Sequence, residues 1–219
     1  MSHPGEDRTK KQLREWEGKF GDDYTDRNVV AWRTRLPLFQ AMLEGLNLPR
    51  VLEVGCNRGH NLVALSELLG PGAEIVGVEP NPHARNLARS ASSRTPILAG
   101  DAYDLPFKEG TFDLVFTWGV LIHVPLDSLR AAMAEIHRVS ARYLLAIEYF
   151  AEQETRIAYR GHDDLLWKRN FLKHYQAWFP DLSLVRQGSW GPEQRADNVS
   201  WWLLSRRTSS QDKEERRAP

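Results

Sequence analysis

The feature that most constrains the fold is a regular alternation of short apolar segments and segments with helical periodicity along residues 50–150. Such alternation is typical of a parallel sheet covered by helices. Two later apolar segments, 182–188 and 199–205, are joined by a polar loop that is too short for a helical crossover, so they should pair antiparallel. We therefore predict an α/β fold with a doubly wound, seven-stranded Rossmann-like sheet: five parallel strands, a C-terminal antiparallel pair, and helices on both faces. The parallel strands are predicted at 50–54, 74–78, 95–99, 112–117 and 142–150.

Composition divides the chain into a core and two polar ends. Residues 1–12 and 208–219 are polar and charged without apolar periodicity, which predicts disorder at both ends. Residues 13–207 are expected to form a single domain. Within it, 13–46 should supply an N-terminal lid and helix, with Pro37 splitting a helix over 28–46, and 151–180 should form an insert on the substrate side.

The charge balance limits the partners of this chain. Its 29 basic and 29 acidic residues cancel, whereas a dedicated nucleic-acid binder normally carries a basic excess. The single cysteine cannot form an internal disulfide, which favours a cytoplasmic protein. The longest uncharged segment, 114–125, is shorter than the roughly 17–25 residues of a membrane span. We expect no nucleic-acid or membrane partner, and a monomer or homodimer.

A glycine loop joins the first strand to the first helix. Gly55 and Gly59 allow a tight turn and a close approach of the backbone to a ligand, and the following helix N-terminus favours negative charge. Glu79 ends the second strand, where an acid can accept hydrogen bonds from ribose hydroxyls, and Asp101 ends the third. This conjunction predicts a site for a nucleoside cofactor.

The loop resembles the Glu-x-Gly-x-x-x-Gly loop of class I S-adenosylmethionine-dependent methyltransferases, and residues 112–123 are similar to the fourth-strand motif of that family. The resemblance implies S-adenosyl-L-methionine as the cofactor and S-adenosyl-L-homocysteine as its product. It implies that Glu79 holds the ribose, that Asp101 and Ala102 meet the adenine, and that Arg27 binds the cofactor carboxylate bidentately. The implied cofactor residues are Tyr24, Arg27, Asn28, Glu53, Gly55, Cys56, Asn57, Gly59, Glu79, Pro80, Asp101, Ala102, Thr117 and Trp118.

A narrower resemblance involves segments 16–28, 159–164, 168–171 and 199–204, which are similar to methylases associated with pseudaminic acid biosynthesis. It implies O- or N-methylation of a small molecule, for example an acidic or amino sugar or a natural-product intermediate. The cationic residues of the insert would then bind an anionic substrate, although a charged surface is the competing interpretation. The candidate substrate-binding residues are Trp16, Tyr149, Tyr159, Arg160, His162, Lys168 and Arg169.

Methyl transfer from a sulfonium is an in-line displacement, so the protein mainly supplies positioning and a dry site. His123, after the fourth strand, is the candidate general base or substrate-orienting residue. The competing interpretation is a structural histidine bonded to a backbone carbonyl, and an amine acceptor would need no base. His162 and Asp163 lack a third ligand, so no metal site is predicted.

Three other functions remain open. An RNA ribose or base methyltransferase is compatible with the motifs, whereas amide N-methyltransferases carry prolines after the fourth strand, where this chain has Thr117 and Trp118. A dinucleotide-dependent oxidoreductase needs glycines at positions 57 and 60, which are Asn57 and His60 here. The third alternative is a non-catalytic cofactor-binding module that regulates a partner.

Overall fold

The computed structural model describes residues 4–92, 94–194 and 198–207. The predicted disordered tail, 208–219, and residues 1–3 lie outside this range. The helices are α1 (Pro4–Glu17), α2 (Lys19–Arg27), α3 (Leu36–Leu43), α4 (His60–Leu69), α5 (Pro82–Ala91), α6 (Leu126–Val139) and α7 (Phe171–Trp178). The strands are β1 (Arg50–Val54), β2 (Glu74–Glu79), β3 (Ile97–Ala99), β4 (Phe112–Trp118), β5 (Ser140–Glu148), β6 (Thr155–Arg156), β7 (Trp167–Lys168), β8 (Leu182–Trp190) and β9 (Val199–Arg206).

The main sheet has seven strands in the order β3-β2-β1-β4-β5-β9-β8. The pairs from β3 to β5 are parallel, and β9 pairs antiparallel with both β5 and β8. This Rossmann-like α/β sheet, mostly parallel with an antiparallel part, agrees with the prediction. A separate antiparallel sheet of β6 and β7 was not predicted. Strands of two residues carry no periodicity that a sequence could reveal.

Each face of the main sheet carries its own hydrophobic core. Successive strand residues point to opposite faces, so Leu52 and Val54 of β1 belong to one core and Val51 to the other. Helices α6 and α7 contribute to the first core, and α3 and α4 to the second. Helices therefore cover both faces, and the buried apolar run of β4 is explained by burial on both sides.

The N-terminal segment differs from the prediction. Residues 4–12 were expected to be disordered, but they belong to α1. The predicted helix over 28–46 is also wrong in its first part: residues 28–31 are not helical, a 3₁₀ helix follows over Trp32–Arg35, and α3 begins at Leu36. Pro37 lies in the first turn of α3, where its missing N–H costs no hydrogen bond.

The insert is also organised differently. The predicted helix over 167–178 begins only at Phe171, because Asn170 caps it by accepting a hydrogen bond from the Lys173 backbone N–H (3.1 Å). Trp167 instead lies in β7, opposite Arg156. The insert thus consists of a short β arm, formed by β6, β7 and the residues between them, followed by α7.

Candidate functional site

A cavity of about 290 Å³ lies at the carboxyl ends of β1, β2 and β4. This is the edge where ligands bind in open parallel sheets. The loops after these strands form one wall, and α1, α2 and the segment leading to α3 form another. Residues at the end of β5, in the β arm and at the start of β9 complete the lining, namely Tyr149, Tyr159, Leu166 and Val199.

The glycine loop is folded tightly against β2. The backbone N–H groups of Gly55 and Cys56 both donate to the carbonyl oxygen of Val78, at 2.8 and 3.0 Å. Gly55 has a φ of +76°, and a Cβ there would lie 2.5 Å from a methyl carbon of Val120. Only glycine fits this position. Asn57 also adopts a left-handed backbone, with a φ of 45°, a conformation that asparagine tolerates better than most residues.

Glu79, at the end of β2, has both carboxylate oxygens oriented by backbone N–H groups. Oε2 accepts from Asn57 and Oε1 from Asn81, each at 2.9 Å. Burial raises the pKa of Glu79, and these two N–H groups oppose that shift. A carboxylate has about four lone-pair positions, so each oxygen retains the capacity to accept another hydrogen bond. The arrangement suits a pair of ribose hydroxyls.

Glu53, at the end of β1, is 1% exposed. Its Oε1 accepts a hydrogen bond from Asn61 Nδ2 at 2.7 Å, whereas Oε2 is buried without a partner. Burial raises the pKa of Glu53 to about 8, against the opposing effects of Asn61 and Arg35. A buried carboxyl oxygen without a partner is costly, and a cationic ligand group would satisfy it.

Arg35 is the guanidinium at this end of the cavity. It lines the cavity, and its Cζ lies 3.9 Å from the centre of the Trp118 ring. Arg27, which the resemblance assigns to the cofactor carboxylate, does not line the cavity. It is exposed and lies over the rings of Phe20 and Tyr24, at 5.8 and 5.5 Å.

These residues fit S-adenosylmethionine. The unpartnered Oε2 of Glu53 matches the ammonium of the methionine part, and Arg35 matches its carboxylate. Glu79 matches the ribose hydroxyls. Asp101 also lines the cavity, with Oδ1 held by the backbone N–H of Tyr103 at 2.7 Å, and Ala102 adds apolar surface. The acids at the carboxyl ends of β1, β2 and β3 thus follow one another along the sheet edge.

His123 lies at the end of a 3₁₀ turn after β4 and is 8% exposed. Its Nδ1 is 2.5 Å from the carbonyl oxygen of Leu165. A carbonyl only accepts, so Nδ1 carries the proton and Nε2 is left as an acceptor. Burial lowers the pKa of His123 to about 4, partly offset by this hydrogen bond. The imidazole is therefore neutral near pH 7.

Glu148, the last residue of β5, holds this turn in place. Oε1 accepts hydrogen bonds from the Thr117 hydroxyl and from the backbone N–H groups of Val120 and Leu121, and Oε2 accepts from that of Ile122, at 2.8–3.2 Å. Burial raises the pKa of Glu148 to about 7, against the effect of these donors. Glu148 does not line the cavity.

An aromatic cluster joins α1 and α2 to the other wall. The Trp16 ring lies 4.5 Å from the His123 ring and 5.2 Å from that of Tyr24. Tyr159 approaches from the β arm, 5.9 Å from His123. Phe20 packs edge-on against Tyr159 and His162, at 6.2 and 5.1 Å. The cluster places α1 beside the candidate catalytic histidine.

Most of the predicted site residues line the cavity. They are Trp16, Tyr24, Asn28, Glu53, Gly55, Cys56, Asn57, Glu79, Pro80, Asp101, Ala102, Trp118, His123, Tyr149 and Tyr159. Two predicted cofactor residues, Gly59 and Thr117, do not line the cavity. Gly59 is the N-cap of α4, and the Thr117 hydroxyl donates a hydrogen bond to Glu148. Burial raises the pKa of the Cys56 thiol, so it is not a nucleophile.

The predicted cationic substrate residues are not brought to the cavity. Arg169 is 1% exposed; its Nε pairs with Glu154 at 2.6 Å, and its guanidinium also donates to the Val124 carbonyl. Arg160 is exposed in the turn of the β arm, and Lys168 lies over the Tyr149 ring at 5.8 Å. His162 packs against Phe20 outside the cavity. None of these four residues is among those that line the cavity, and their binding of an anionic substrate stays a prediction.

Sequence reasoning missed several lining residues, namely Gln12, Arg35, Asn61, Asn81 and Tyr103. Gln12 lies one helical turn before Trp16, so their spacing would have placed both on one face had α1 been recognised. The position of Arg35 depends on tertiary packing against Trp118. Within the described ranges, no cluster of three or more His, Cys, Asp or Glu side chains is arranged to bind a metal ion. Nor do these ranges contain a helix with the length and apolarity needed to cross a bilayer.

Comparison with known proteins agrees with this geometry. Residues 51–142 match a family model described as a methyltransferase domain. The chain is 34% identical over 122 residues to an uncharacterized methyltransferase of Schizosaccharomyces pombe, which covers 50% of this chain and 43% of that protein. It is 30% identical over 111 residues to a demethylmenaquinone methyltransferase of Staphylococcus aureus, which covers 49% and 44%. The chain spans less than half the length of these curated relatives.

The fold also matches a solved structure over most of its length. The Burkholderia thailandensis 1,6-didemethyltoxoflavin-N1-methyltransferase, solved with 1,6-didemethyltoxoflavin and S-adenosylhomocysteine, superposes with a TM-score of 0.67 at 17% identity, covering 95% of this chain and 92% of that one. A likeness at this identity concerns the fold. Together, the comparisons identify a methyltransferase domain at residues 51–142.

Proposed function

We propose that this protein is an S-adenosylmethionine-dependent methyltransferase that methylates a free small molecule at an oxygen or nitrogen atom by in-line transfer. The observation that carries the proposal is the set of acids at the sheet edge. Glu53 leaves one buried oxygen without a partner, and Glu79 has both oxygens oriented by backbone N–H groups beside a glycine-lined turn.

The chain's own residues divide the binding task. Glu53 takes the ammonium group, Arg35 the carboxylate and Glu79 the ribose hydroxyls, while Asp101 and Ala102 lie toward the adenine. Charge-assisted hydrogen bonds of this kind are stronger than neutral ones. When bound, S-adenosylmethionine supplies an electrophilic methyl group on a positively charged sulfur.

The position of α1 supports a small acceptor. The Trp16 ring contacts the His123 ring at 4.5 Å, so α1 closes the cavity on this side and limits the space left for an acceptor. The zero net charge of the chain supplies no electrostatic attraction for a polyanion such as RNA. The similarity in fold to a methyltransferase solved with the small molecule 1,6-didemethyltoxoflavin points the same way.

We propose that His123 receives the proton of the acceptor. Its protonated Nδ1 donates to Leu165, so Nε2 accepts a hydrogen bond from the N–H or O–H of the acceptor. With a pKa of about 4, the imidazole is a weak base. It therefore orients the nucleophile and takes its proton only as that proton becomes acidic during transfer.

Binding of S-adenosylhomocysteine, measured by calorimetry, tests the proposal. We expect wild-type protein to bind it, and Glu79→Gln to weaken binding at least about tenfold, because an amide presents one acceptor oxygen instead of two. Glu67→Gln, an exposed change on α4, is the matched control and should leave affinity unchanged. No binding by the wild type, or stabilisation by NAD instead, would refute the proposal.

A further inference from the structure

We infer that the methyl acceptor is an uncharged planar ring compound that carries a carbonyl oxygen and a nucleophilic N–H or O–H on the same ring system. This inference rests on the proposed function and specifies its substrate class. It departs from the acidic or amino sugar that the sequence resemblance implies. Three properties of the acceptor half of the cavity support it: the charge, the shape and the hydrogen-bonding groups of its walls.

Charge divides the cavity into two halves. The ionic side chains among its described lining residues are Arg35, Glu53, Arg58, Glu79 and Asp101, together with the titratable His60. All of these belong to the cofactor loops or to the segment beside Trp118. The half between α1 and His123 is lined by neutral side chains. Two cations lie outside this lining: the Lys168 ammonium is 5.8 Å from the Tyr149 ring, and the Arg169 guanidinium pairs with Glu154 and donates to backbone carbonyls, with Nη2 buried and unpartnered. An ionic acceptor would lose its hydration there without a counterion among the lining side chains.

Aromatic rings form the walls of this half. Trp16 from α1, Tyr24 from α2, Tyr149 after β5 and Tyr159 from the β arm all line the cavity. The rings of Trp16, Tyr24 and Tyr159 lie around the imidazole of His123. The rings of Trp16 and Tyr159 lie 4.5 and 5.9 Å from that imidazole. Rigid aromatic faces favour offset-stacked or edge-to-face contact with another flat ring.

Five of the described lining residues have a buried side-chain atom without a hydrogen-bond partner. Three of these atoms belong to the cofactor half, namely Arg35 Nε, Glu53 Oε2 and Asn57 Oδ1, and two remain. The side-chain amide nitrogen of Gln12, a residue only 7% exposed, makes no hydrogen bond, and neither does the hydroxyl of Tyr103. Buried donors without partners are rare because each costs about 1–3 kcal/mol. The Gln12 amide nitrogen only donates and the Tyr103 hydroxyl can donate as well as accept, so an acceptor oxygen such as a carbonyl complements both. Nε2 of His123 only accepts, so its complement is an N–H or O–H.

The test is a titration of the protein saturated with S-adenosylhomocysteine. The probes are 4-quinolone, which has a ring carbonyl and a ring N–H without charge, its 2-carboxylate derivative, and glucuronate as an acidic sugar. We expect 4-quinolone to bind, and the carboxylate and the sugar to bind at least about tenfold more weakly, because each brings an unpaired charge.

Variants of Gln12 and Tyr103 test whether these two side chains bind 4-quinolone. Gln12→Met and Tyr103→Phe preserve size and remove one donor each, so each should weaken 4-quinolone binding about fivefold to tenfold and leave the affinity for S-adenosylhomocysteine unchanged. Gln40→Met, exposed on α3, and Tyr143→Phe, at the far end of β5, are the matched controls. If Gln12→Met is poorly folded by circular dichroism, Tyr103→Phe alone decides.

Three results would overturn the inference while S-adenosylhomocysteine still binds: tighter binding of the carboxylate or of glucuronate, no binding of 4-quinolone at millimolar concentration, or equal losses in the control variants. If S-adenosylhomocysteine itself does not bind, the proposed function fails, and this inference fails with it.

Discussion

The side-chain amide of Asn81 donates a hydrogen bond to the main-chain carbonyl oxygen of Trp16 over 3.0 Å. The same amide donates to Asp22 at 2.8 Å, and the backbone N–H of Asn81 donates to Glu79. Asn81 is 2% exposed. One buried residue therefore fixes both the junction of α1 with α2 and the carboxylate at the end of β2, so the wall beside the acceptor and the cofactor acid are mechanically connected.

Asn81→Asp tests this connection. The aspartate keeps the oxygen that caps α5 by accepting from the Ala84 backbone N–H, but it loses both donors and places a negative charge beside Asp22 and Glu79. We expect hydrogen-exchange protection of α1 and α2 to fall and affinity for S-adenosylhomocysteine to drop about tenfold. Asn86→Asp, exposed on α5, is the control. Unchanged protection in Asn81→Asp would contradict the connection.

Glu53 should make the stability of the cofactor-free protein depend on pH. Its pKa rises from 4.5 to about 8 on burial, so the folded protein holds a proton that the unfolded chain releases, and stability falls as pH rises from about 4.5 to about 8. Glu53→Gln mimics the protonated form and removes this loss. We expect the variant to gain at least about 1 kcal/mol over the wild type by pH 8, a Tm difference of about 2–4 °C.

The same variant should lose the pH dependence of cofactor binding. An ammonium group pairs with the ionised carboxylate, so wild-type affinity for S-adenosylhomocysteine should rise between pH 6 and pH 8, whereas that of Glu53→Gln should stay lower and nearly flat. Thermal scans and calorimetry across this range measure both effects. A Tm difference that does not widen with pH would refute the assignment of this titration to Glu53.

The imidazole of His123 should be neutral at every pH above about 5. Its pKa is lowered from 6.5 to about 4, so the stability that depends on its neutral form is lost only as pH falls from about 6.5 toward 4. NMR of the imidazole should show the Nδ1–H form above pH 5 and no titration near pH 6.5. A midpoint near 6.5 would show that the ring is not buried as described.

Glu148→Gln should destabilise the turn that carries His123. The amide oxygen replaces one carboxylate oxygen, but the amide N–H₂ group then faces a backbone donor of Val120, Leu121 or Ile122, or the Thr117 hydroxyl. We expect a loss of about 1–3 kcal/mol, read as a lower denaturation midpoint in urea. Thr117→Val, which removes one donor, should cost less, and the exposed Glu109→Gln should change nothing.

The sheet and the cofactor half of the cavity were predictable because their signals are local. Gly55, Glu79 and Asp101 each follow a strand, and parallel strands bring their carboxyl ends to one edge, so order along the chain was enough. That Arg35 lines the cavity and Arg27 does not was not predictable. It depends on where the helix after residue 27 restarts, which is fixed by packing of Arg35 on Trp118 rather than by local preference.

The acceptor half of the cavity was harder to predict from the sequence, because it also depends on tertiary packing. Arginine is usually exposed, so the sequence suggests a surface position for Arg169. The β arm instead buries it against backbone carbonyls that no sequence pattern identifies. Helix α1 is polar over most of its length, so its contribution of Gln12 was hidden in a segment that composition alone marks as disordered.

The aromatic cluster of Trp16, Tyr24 and Tyr159 has a consequence for how such a protein diversifies. Its members come from outside residues 51–142, whereas the loops with Glu53, Glu79 and Asp101 lie inside that range. Under the proposed function, substitutions at these three aromatic positions would alter the wall beside His123 and leave the three cofactor acids in place. A change of acceptor could then begin outside residues 51–142, within the limits set by His123 and Tyr103, which lie inside that range.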